Sequence, residues 1–320
     1  MWENEKNGGA HADARRMRSS EVRRVDCAFS LIKMVASIAT TRALPLLLKP
    51  AARPLVARAV APVTASIAQP AVSSAAAAFI QPLAALPLAV RDPLCTVALV
   101  VASIIWIKLC KLVGSQYVSR KLVHMGSGPL FILFWPIFST TPSGQIAACL
   151  VPVISVLRLL RAGSRTDGGQ ADLINAVSRS GDKKEALEGP MVYTLVLLAS
   201  TLFGWRKVVS AVAVCQMAIG DGMADIIGRR FGKTRWPTWL EASQKKSVEG
   251  SVAFVFFAFL ASFLFVALFQ ITGLTTLAPF AVAPTLLLIS VVTAIAELVD
   301  FGDDNLNVPL CAAALSILLL

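Results

Sequence analysis

The sequence predicts an all-α integral membrane protein, a polytopic bundle of about 7–8 transmembrane helices. Hydrophobic residues make up 56% of the 320 residues and charged residues only 15%, whereas soluble domains carry about 25% charged residues. The apolar residues also cluster in runs close to the length of about 20 residues that one bilayer crossing needs. These runs cover residues 94–113, 128–140, 145–160, 190–204, 208–226, 248–272, 277–298 and 308–320.

The second and third runs are irregular. Both are shorter than the ~17 residues of a minimal span, and Pro129, Pro136 and Pro152 interrupt them. We therefore expect the two runs to form either a tight hairpin or a partly re-entrant pair.

The loops between the runs differ in charge. If each run crosses once, nearly all loop lysines and arginines fall on one face, and the opposite loops carry little beyond Arg206 and Lys207. By the positive-inside rule, the basic face is cytosolic or stromal. Its loops are 114–127, 161–189, 227–247 and 299–307.

Residues 1–91 are predicted to be a disordered N-terminal region, and 92–320 the membrane domain. From Cys27 to Arg91 the chain has basic and hydroxyl-bearing residues but no acid, which is typical of an organelle transit peptide. Five acids lie ahead of Cys27, so we expect translation to start at Met34, or the first residues to be a gene-model extension. A Pro/Ala-rich linker without a targeting role is the alternative.

The net charge of +11 does not indicate a nucleic-acid partner. The basic residues flank apolar runs and form no stripe interleaved with aromatic residues. Positive flanks of membrane helices and an anionic phosphate substrate explain the charge better. Six cysteines without C-x-x-C spacing, and only two histidines, argue against a disulfide framework or a His-based metal site.

The stretch GDGMADIIGRRFGKT, residues 220–234, ends in Gly-Lys-Thr after a long apolar run. A P-loop requires a glycine five residues before Gly232, where this chain has Ile227. The segment also lacks a βαβ context, so we reject a P-loop.

The two aspartates of this stretch suit a metal ion. Asp221, Asp225 and Arg229 are spaced i, i+4, i+8, which places them on one helix face. Carboxylates one turn apart can share Mg²⁺, which prefers oxygen ligands. A helix-end charge ladder is the alternative, but carboxylates this close to an apolar span are costly and usually functional.

The neighbouring residues suit a phosphate. Gly220 and Gly222 lack side chains, so a phosphate or a neighbouring helix can approach the backbone closely. Arg229 and Arg230 offer forked donors to phosphate oxygens.

The stretch KKSVEGS precedes the next apolar run. Lys245 and Lys246 can hold phosphate charge, and Ser247 can cap a helix whose N-terminus favours anions. Glu249 could bind a second metal or orient a lysine. Taken alone, the stretch would be a positive-inside flank.

Two further stretches carry polar residues. SRKLVHMGSG contains Arg120, Lys121 and His124, and places Arg120 and His124 on one helix face. GDDNLNVP contains Asp303 and Asp304 between two runs, where they form either a second acidic set or a solvated turn.

In order along the chain, RKLVHMGSGPLFILFWPIFS, GDGMADIIGRRFG, KKSVEGS and DDNLNVPL resemble the polyprenol kinase family, in its branch of plastid phytol kinases and farnesol kinases. The resemblance implies a CTP-dependent, Mg²⁺-requiring kinase of a chloroplast membrane. Its substrate would be the terminal hydroxyl of a bilayer-dissolved isoprenoid alcohol, most simply phytol, in tocopherol synthesis and phytol salvage. Glu249 departs from plant phytol kinases, which have a small residue there, and leaves the choice of alcohol open.

On this interpretation, Asp221 and Asp225 bind Mg²⁺, and Glu249 or His124 orients the attacking hydroxyl or accepts its proton. The predicted nucleotide and phosphate site comprises Arg120, Lys121, Gly220, Gly222, Arg229, Arg230, Lys245, Lys246 and Ser247.

Three alternatives stay open at this point. A farnesol, geranylgeraniol or dolichol-type kinase would use the same residues, as would a cytidylyltransferase that forms CDP-lipids. A membrane transporter would place its polar residues near mid-membrane on discontinuous helices, whereas here they gather on one face.

Overall fold

The computed structural model describes residues 85–164, 183–237, 246–298 and 303–320. Residues 1–84, with the predicted transit peptide, and Lys245 of the predicted phosphate site lie outside the described residues. The described part forms eight helices and no strand, and the helices belong to one compact unit.

The helices follow one another through short connections. They are α1 Leu88–Lys111, α2 Gln116–Leu133, α3 Pro142–Ser164, α4 Lys183–Gly204, α5 Val208–Phe231, α6 Val248–Ile271, α7 Pro279–Leu298 and α8 Asp304–Leu319. Within α5, a π-helical turn, Gln216–Gly220, separates two α-helical parts, Val208–Cys215 and Asp221–Phe231.

The prediction of a helical membrane bundle is confirmed. In the described part, five helices are long and apolar enough to cross a membrane: α1, Pro142–Arg161 of α3, α5, α6 and α7. Gly189–Gly204 of α4 and the whole of α8 are shorter apolar helices. Large apolar side chains such as Val97, Phe203 and Leu264 are exposed on the outside of the bundle, where lipid tails would solvate them.

The predicted boundaries of the second run are wrong. The sequence suggested a loop over 114–127 and an apolar run over 128–140, but α2 begins at Gln116 and ends at Leu133. Ser115 caps its first turn by accepting a hydrogen bond from the Val118 N–H. A helix can form here because its charged face is buried against carboxylates of α5, which hydropathy does not register.

The buried centre of the bundle is α5. Nearly every residue of Val208–Cys215 is buried, and α5 approaches α6 backbone to backbone. A Cβ added at Gly250 would lie 2.9 Å from the Ala224 carbonyl oxygen and 3.2 Å from Gly228 Cα. Small residues therefore allow the close packing that replaces hydrophobic collapse inside a membrane.

A buried carboxylate stabilises the end of the bundle where α1 begins and α2 ends. Asp92 is only 2% exposed. It accepts hydrogen bonds from the Ser139 N–H at 2.9 Å, the Ser139 hydroxyl at 2.7 Å and the Ser143 hydroxyl at 2.9 Å. These bonds tie the α2–α3 connection to α1.

Two arginines complete this Asp92 network. Arg91 Nε donates to the Ile137 carbonyl and Arg206 Nη1 to the Phe138 carbonyl, both at 2.8 Å. Arg206 belongs to the α4–α5 turn, so the α2–α3 and α4–α5 connections meet at this end beside the start of α1.

We expect Asp92→Ala to lower the free energy of unfolding by about 2–3 kcal/mol, because it removes a charged acceptor of several buried donors. Thermal melting of the detergent-solubilised protein measures this. Asp92→Asn, which keeps one acceptor oxygen, should cost less; equal melting of wild type and Asp92→Ala would contradict the role given to the network.

Candidate active site

Charged side chains from five elements meet at the other end of the bundle. They come from α2, from α5, from the residue two before α6, from the end of α7 and from the start of α8. The residues in contact there, with the hydroxyl of Tyr117 among them, are Tyr117, Lys121, His124, Asp221, Asp225, Arg229, Lys246, Glu297 and Asp304.

Asp225 is held by three side chains. Its Oδ2 lies 2.9 Å from Lys121 Nζ and accepts from the Tyr117 hydroxyl at 3.1 Å. Its Oδ1 accepts from Arg229 Nε at 2.6 Å. The Arg229 guanidinium lies over the Tyr117 ring, 5.1 Å from its centroid. Both oxygens of Asp225 are thus engaged by donors.

Asp221, one turn earlier, contacts α2 more loosely. Its Oδ2 lies 3.5 Å from both Lys121 Nζ and His124 Nε2. His124 Nε2 also lies 3.3 Å from the Met217 carbonyl oxygen in the π turn. Because Nε2 faces two acceptors, the neutral ring carries its proton there and leaves Nδ1 as the acceptor nitrogen.

Lys246 bridges the remaining two carboxylates. Its Nζ lies 3.2 Å from Glu297 Oε1 and 3.1 Å from Asp304 Oδ2, and it also contacts the Glu297 carbonyl oxygen. Glu297 is 5% exposed, so this ion pair is largely withdrawn from water.

Asp221, Glu297 and Asp304 form an acidic trio. One carboxylate oxygen from each lies within 4.8 Å of the others. Three convergent carboxylate oxygens are the hard donors that Mg²⁺ prefers, with water and phosphate oxygens filling the rest of its shell. The residues therefore fit a Mg²⁺ ion, and the trio joins Asp221 to α7 and α8 rather than to Asp225.

The surroundings set the charge of Lys121, Lys246 and His124, which lie outside the predicted spans. Burial acts to lower the pKa of Lys121, but Asp221 and Asp225 outweigh it and raise that pKa above its ordinary value. Burial also acts to lower the pKa of Lys246, but the nearby Glu297 and Asp304 carboxylates outweigh it and raise that pKa. Burial lowers the pKa of His124 despite the nearby Asp221. Near pH 7 both lysines are charged and the histidine is neutral.

The two glycines of the GDG stretch serve helix packing. A Cβ at Gly220 would lie 2.8 Å from the Phe254 ring, and one at Gly222 would lie 2.1 Å from Met125 Cγ. The sequence allowed either a phosphate or a neighbouring helix at these positions, and side chains of α6 and α2 occupy the space.

Glu249 lies apart from the acidic trio. Its Oε1 accepts from the Lys233 and Thr234 N–H groups, both at 3.0 Å. It anchors the chain that follows α5, and within the described part of the chain it contacts neither a lysine side chain nor another carboxylate. Ser247 caps α6 as predicted, accepting from the Gly250 N–H at 3.1 Å.

The remaining predicted residues lie around the cluster. The Arg229 side chain is 61% exposed, and exposed Arg230 lies over the Phe231 ring. Lys121 and His124 both lie on the α2 face that meets the α5 aspartates. Asp304 opens α8 instead of lying in a loop, and Asp303 directly precedes it.

Tyr117 and Glu297 were missed by sequence reasoning. Glu297 is one carboxylate at the end of an apolar run, seven residues before Asp304. The cost of a charge at that position was the available signal. Tyr117 left no signal, because a tyrosine near a membrane interface is ordinary.

Fold and site together define a class: a helical membrane protein with a carboxylate and lysine site at one end of its bundle. No protein-family model matches the chain, and no solved structure matches it.

Curated relatives do match. A probable chloroplastic phytol kinase 1 of Glycine max is 38% identical over 63% of this chain and 66% of its own length. A probable chloroplastic phytol kinase of Triticum aestivum is 36% identical, over 64% of this chain and 68% of its own. A chloroplastic farnesol kinase of Arabidopsis thaliana is 35% identical, over 64% and 66%. The match spans just under two thirds of the soybean relative.

The chain belongs to the polyprenol kinase family, in the branch of plastid phytol kinases and farnesol kinases. The resemblance seen in the four sequence stretches is thereby confirmed.

We expect Glu249→Ala to free the segment that follows α5, because the Lys233 and Thr234 N–H groups lose their shared acceptor. Trypsin should then cleave at Lys233 or Arg235 faster, by about tenfold, since local opening becomes cheaper. Glu249→Gln, which keeps one acceptor oxygen, is the control. Unchanged cleavage of Glu249→Ala would show that the carboxylate does not anchor this segment.

Proposed function

We propose that this protein phosphorylates the terminal hydroxyl of an isoprenoid alcohol, with CTP as donor and Mg²⁺ as cofactor, in a chloroplast membrane. Family membership supports the activity, and relatives named chloroplastic support the location. The observation that carries the proposal is the acidic trio with Lys246 beside it, at one end of an apolar bundle. Phytol is the first candidate substrate, with farnesol, geranylgeraniol and dolichol-type alcohols as alternatives.

The position of the site suits such a reaction. An isoprenoid alcohol dissolves in the bilayer with its hydroxyl toward the interface, where the helix ends lie. Phosphoryl transfer depends on positioning and charge neutralisation more than on covalent help from the protein. A cluster of paired charges at the helix ends supplies both.

The acidic trio would hold Mg²⁺, which when bound neutralises phosphate charge. Asp225, predicted from its spacing as a second ligand, instead holds Lys121 and Arg229 in this arrangement. Lys246 beside the trio, and exposed Arg229, would contact the nucleotide phosphates. Arg120, Arg230 and Lys245 keep their predicted phosphate roles as part of the proposal.

His124 would accept the proton of the alcohol or orient its hydroxyl. The ring is neutral near pH 7 because burial lowers its pKa, so it is able to take up a proton. Nε2 is committed to Asp221 and the Met217 carbonyl, which leaves Nδ1 for the substrate. Glu249 would support the site indirectly by anchoring the segment after α5.

Product analysis tests the proposed reaction. Membranes of an expressing host are incubated with labelled CTP and phytol, farnesol, geranylgeraniol or dolichol. We expect CDP and an alkyl monophosphate, at rates at least about a hundredfold above an Asp221→Asn control. Pyrophosphate and a CDP-lipid would identify a cytidylyltransferase instead, and an absence of any product from all four alcohols would refute the kinase.

The metal assignment makes a separate prediction. Glu297→Gln and Asp304→Asn should raise the Mg²⁺ concentration for half-maximal activity by about tenfold or more, because each removes a charged ligand. Asp225→Asn should leave that concentration nearly unchanged and impair nucleotide binding. If only Asp225→Asn raised the Mg²⁺ concentration for half-maximal activity, Asp221 and Asp225 would be the metal ligands instead of the acidic trio.

A further inference from the structure

A layer of polar side chains lies one helical turn deeper in the bundle than the acidic trio. Gln216 opens the π turn, and the Asp221 N–H bonds to its carbonyl oxygen five residues back. On α7, Ser290 and Thr293 precede Glu297 by seven and four residues, which places all three on one face. Gln216, Ser290 and Thr293 are fully buried.

The orientation of the Gln216 amide follows from its neighbours. Its Nε2 donates to Ser290 Oγ at 2.8 Å and to Ser262 Oγ at 3.2 Å. The Ser290 hydroxyl already donates its hydrogen to the Leu286 carbonyl at 3.0 Å, so toward Gln216 it acts as acceptor. The amide nitrogen therefore faces the serines, and Oε1 points elsewhere.

Among the described residues, two buried polar atoms of this layer lack a hydrogen-bond partner of ordinary geometry. Within the described part of the chain, Gln216 Oε1 has no hydrogen-bond partner. The Thr293 hydroxyl lies near the weakly polar Cys311 thiol but makes no hydrogen bond of ordinary geometry there. Buried polar atoms left in this state are rare in native proteins and call for a ligand or a water.

Their place in the bundle indicates which ligand. Thr293 lies on α7 between Ser290, which contacts Gln216, and Glu297, which belongs to the trio. The unpaired atoms are thus flanked by apolar helices on the membrane side and by the carboxylates on the other. π turns such as the one that Gln216 opens recur at functional sites, where they shift side chains out of regular register.

We infer that Gln216 and Thr293 bind the hydroxyl group of the membrane-dissolved alcohol before phosphoryl transfer, with Gln216 Oε1 accepting its hydrogen and the Thr293 hydroxyl donating to its oxygen; the proposed role of His124 as proton acceptor begins only when that oxygen attacks the phosphate. The inference rests on the proposed function and names the groups that recognise the substrate head. A site built to bond a hydroxyl discriminates strongly against the same chain without one. A buried water would satisfy the same two atoms and is the competing explanation.

The test compares Gln216→Met with wild type in the kinase assay with farnesol and phytol. The substitution keeps the length of the side chain and removes the acceptor. The KM for the alcohol should rise by about tenfold while the KM for CTP stays within about twofold. Gln145→Met is the matched control: the Gln145 amide donates to the Thr201 and Leu202 carbonyls, away from the trio.

A binding readout accompanies the kinetics. A farnesol analogue carrying a diazirine is photo-crosslinked to the protein, and farnesol or the matched hydrocarbon without the hydroxyl competes for labelling. In wild type the alcohol should compete about tenfold better than the hydrocarbon, and Gln216→Met should abolish that preference. Thr293→Val, which keeps the shape of the side chain, should weaken this preference for the alcohol. It is the variant to test if Gln216→Met does not fold.

The outcomes separate this inference from the proposed function. If the protein is a kinase and both Gln216→Met and Thr293→Val keep a normal KM for the alcohol, the polar layer holds water or serves packing. That result would overturn the inference and leave the proposed kinase activity intact. If no alcohol is phosphorylated, the photo-crosslinking competition is the test of the inference. A hydroxyl preference lost in the variants supports the inference, and equal competition by alcohol and hydrocarbon overturns it.

Discussion

The pairing of buried charges between different helices is the constraint on which the rest of the structure depends. Lys121 on α2 meets Asp221 and Asp225 on α5, and Lys246 meets the members of the acidic trio on α7 and α8. A lone charge beside an apolar span costs several kcal/mol. The pairings therefore fix which turns of these helices face one another, and the site exists only in the assembled bundle.

Hydropathy predicted most of the helices because lipid-facing and buried residues are both apolar, so each span is a continuous run. It failed for α2, whose first three turns carry Lys121 and His124. Those residues are polar but lie against α5, and a hydropathy pattern that scores each residue alone does not register partners about a hundred residues away in the sequence. Ser115, which caps the helix, was the local signal for its start.

The candidate site was predictable where one helix supplies it and not where several do. The spacing of Asp221 and Asp225 predicted that both lie on one helix face, and both contact Lys121. A shared ion stays a prediction, and Asp225 also pairs with Arg229. Glu297 joins Asp221 only through the tertiary packing of α5 against α7. The π turn at Gln216 adds to this, because it alters the register of α5 between the regular core and the aspartates and has no motif in the sequence.

On the proposed function, charge balance ties nucleotide binding to the metal. The three carboxylates of the acidic trio converge, with Lys121 and Lys246 as their cationic partners. A bound divalent ion would add positive charge at this point, where the phosphates of an anionic nucleotide have to approach. Lys246 would then share its carboxylates with the ion and be able to turn to a phosphate oxygen, because the ion and the lysine compete for the same acceptors.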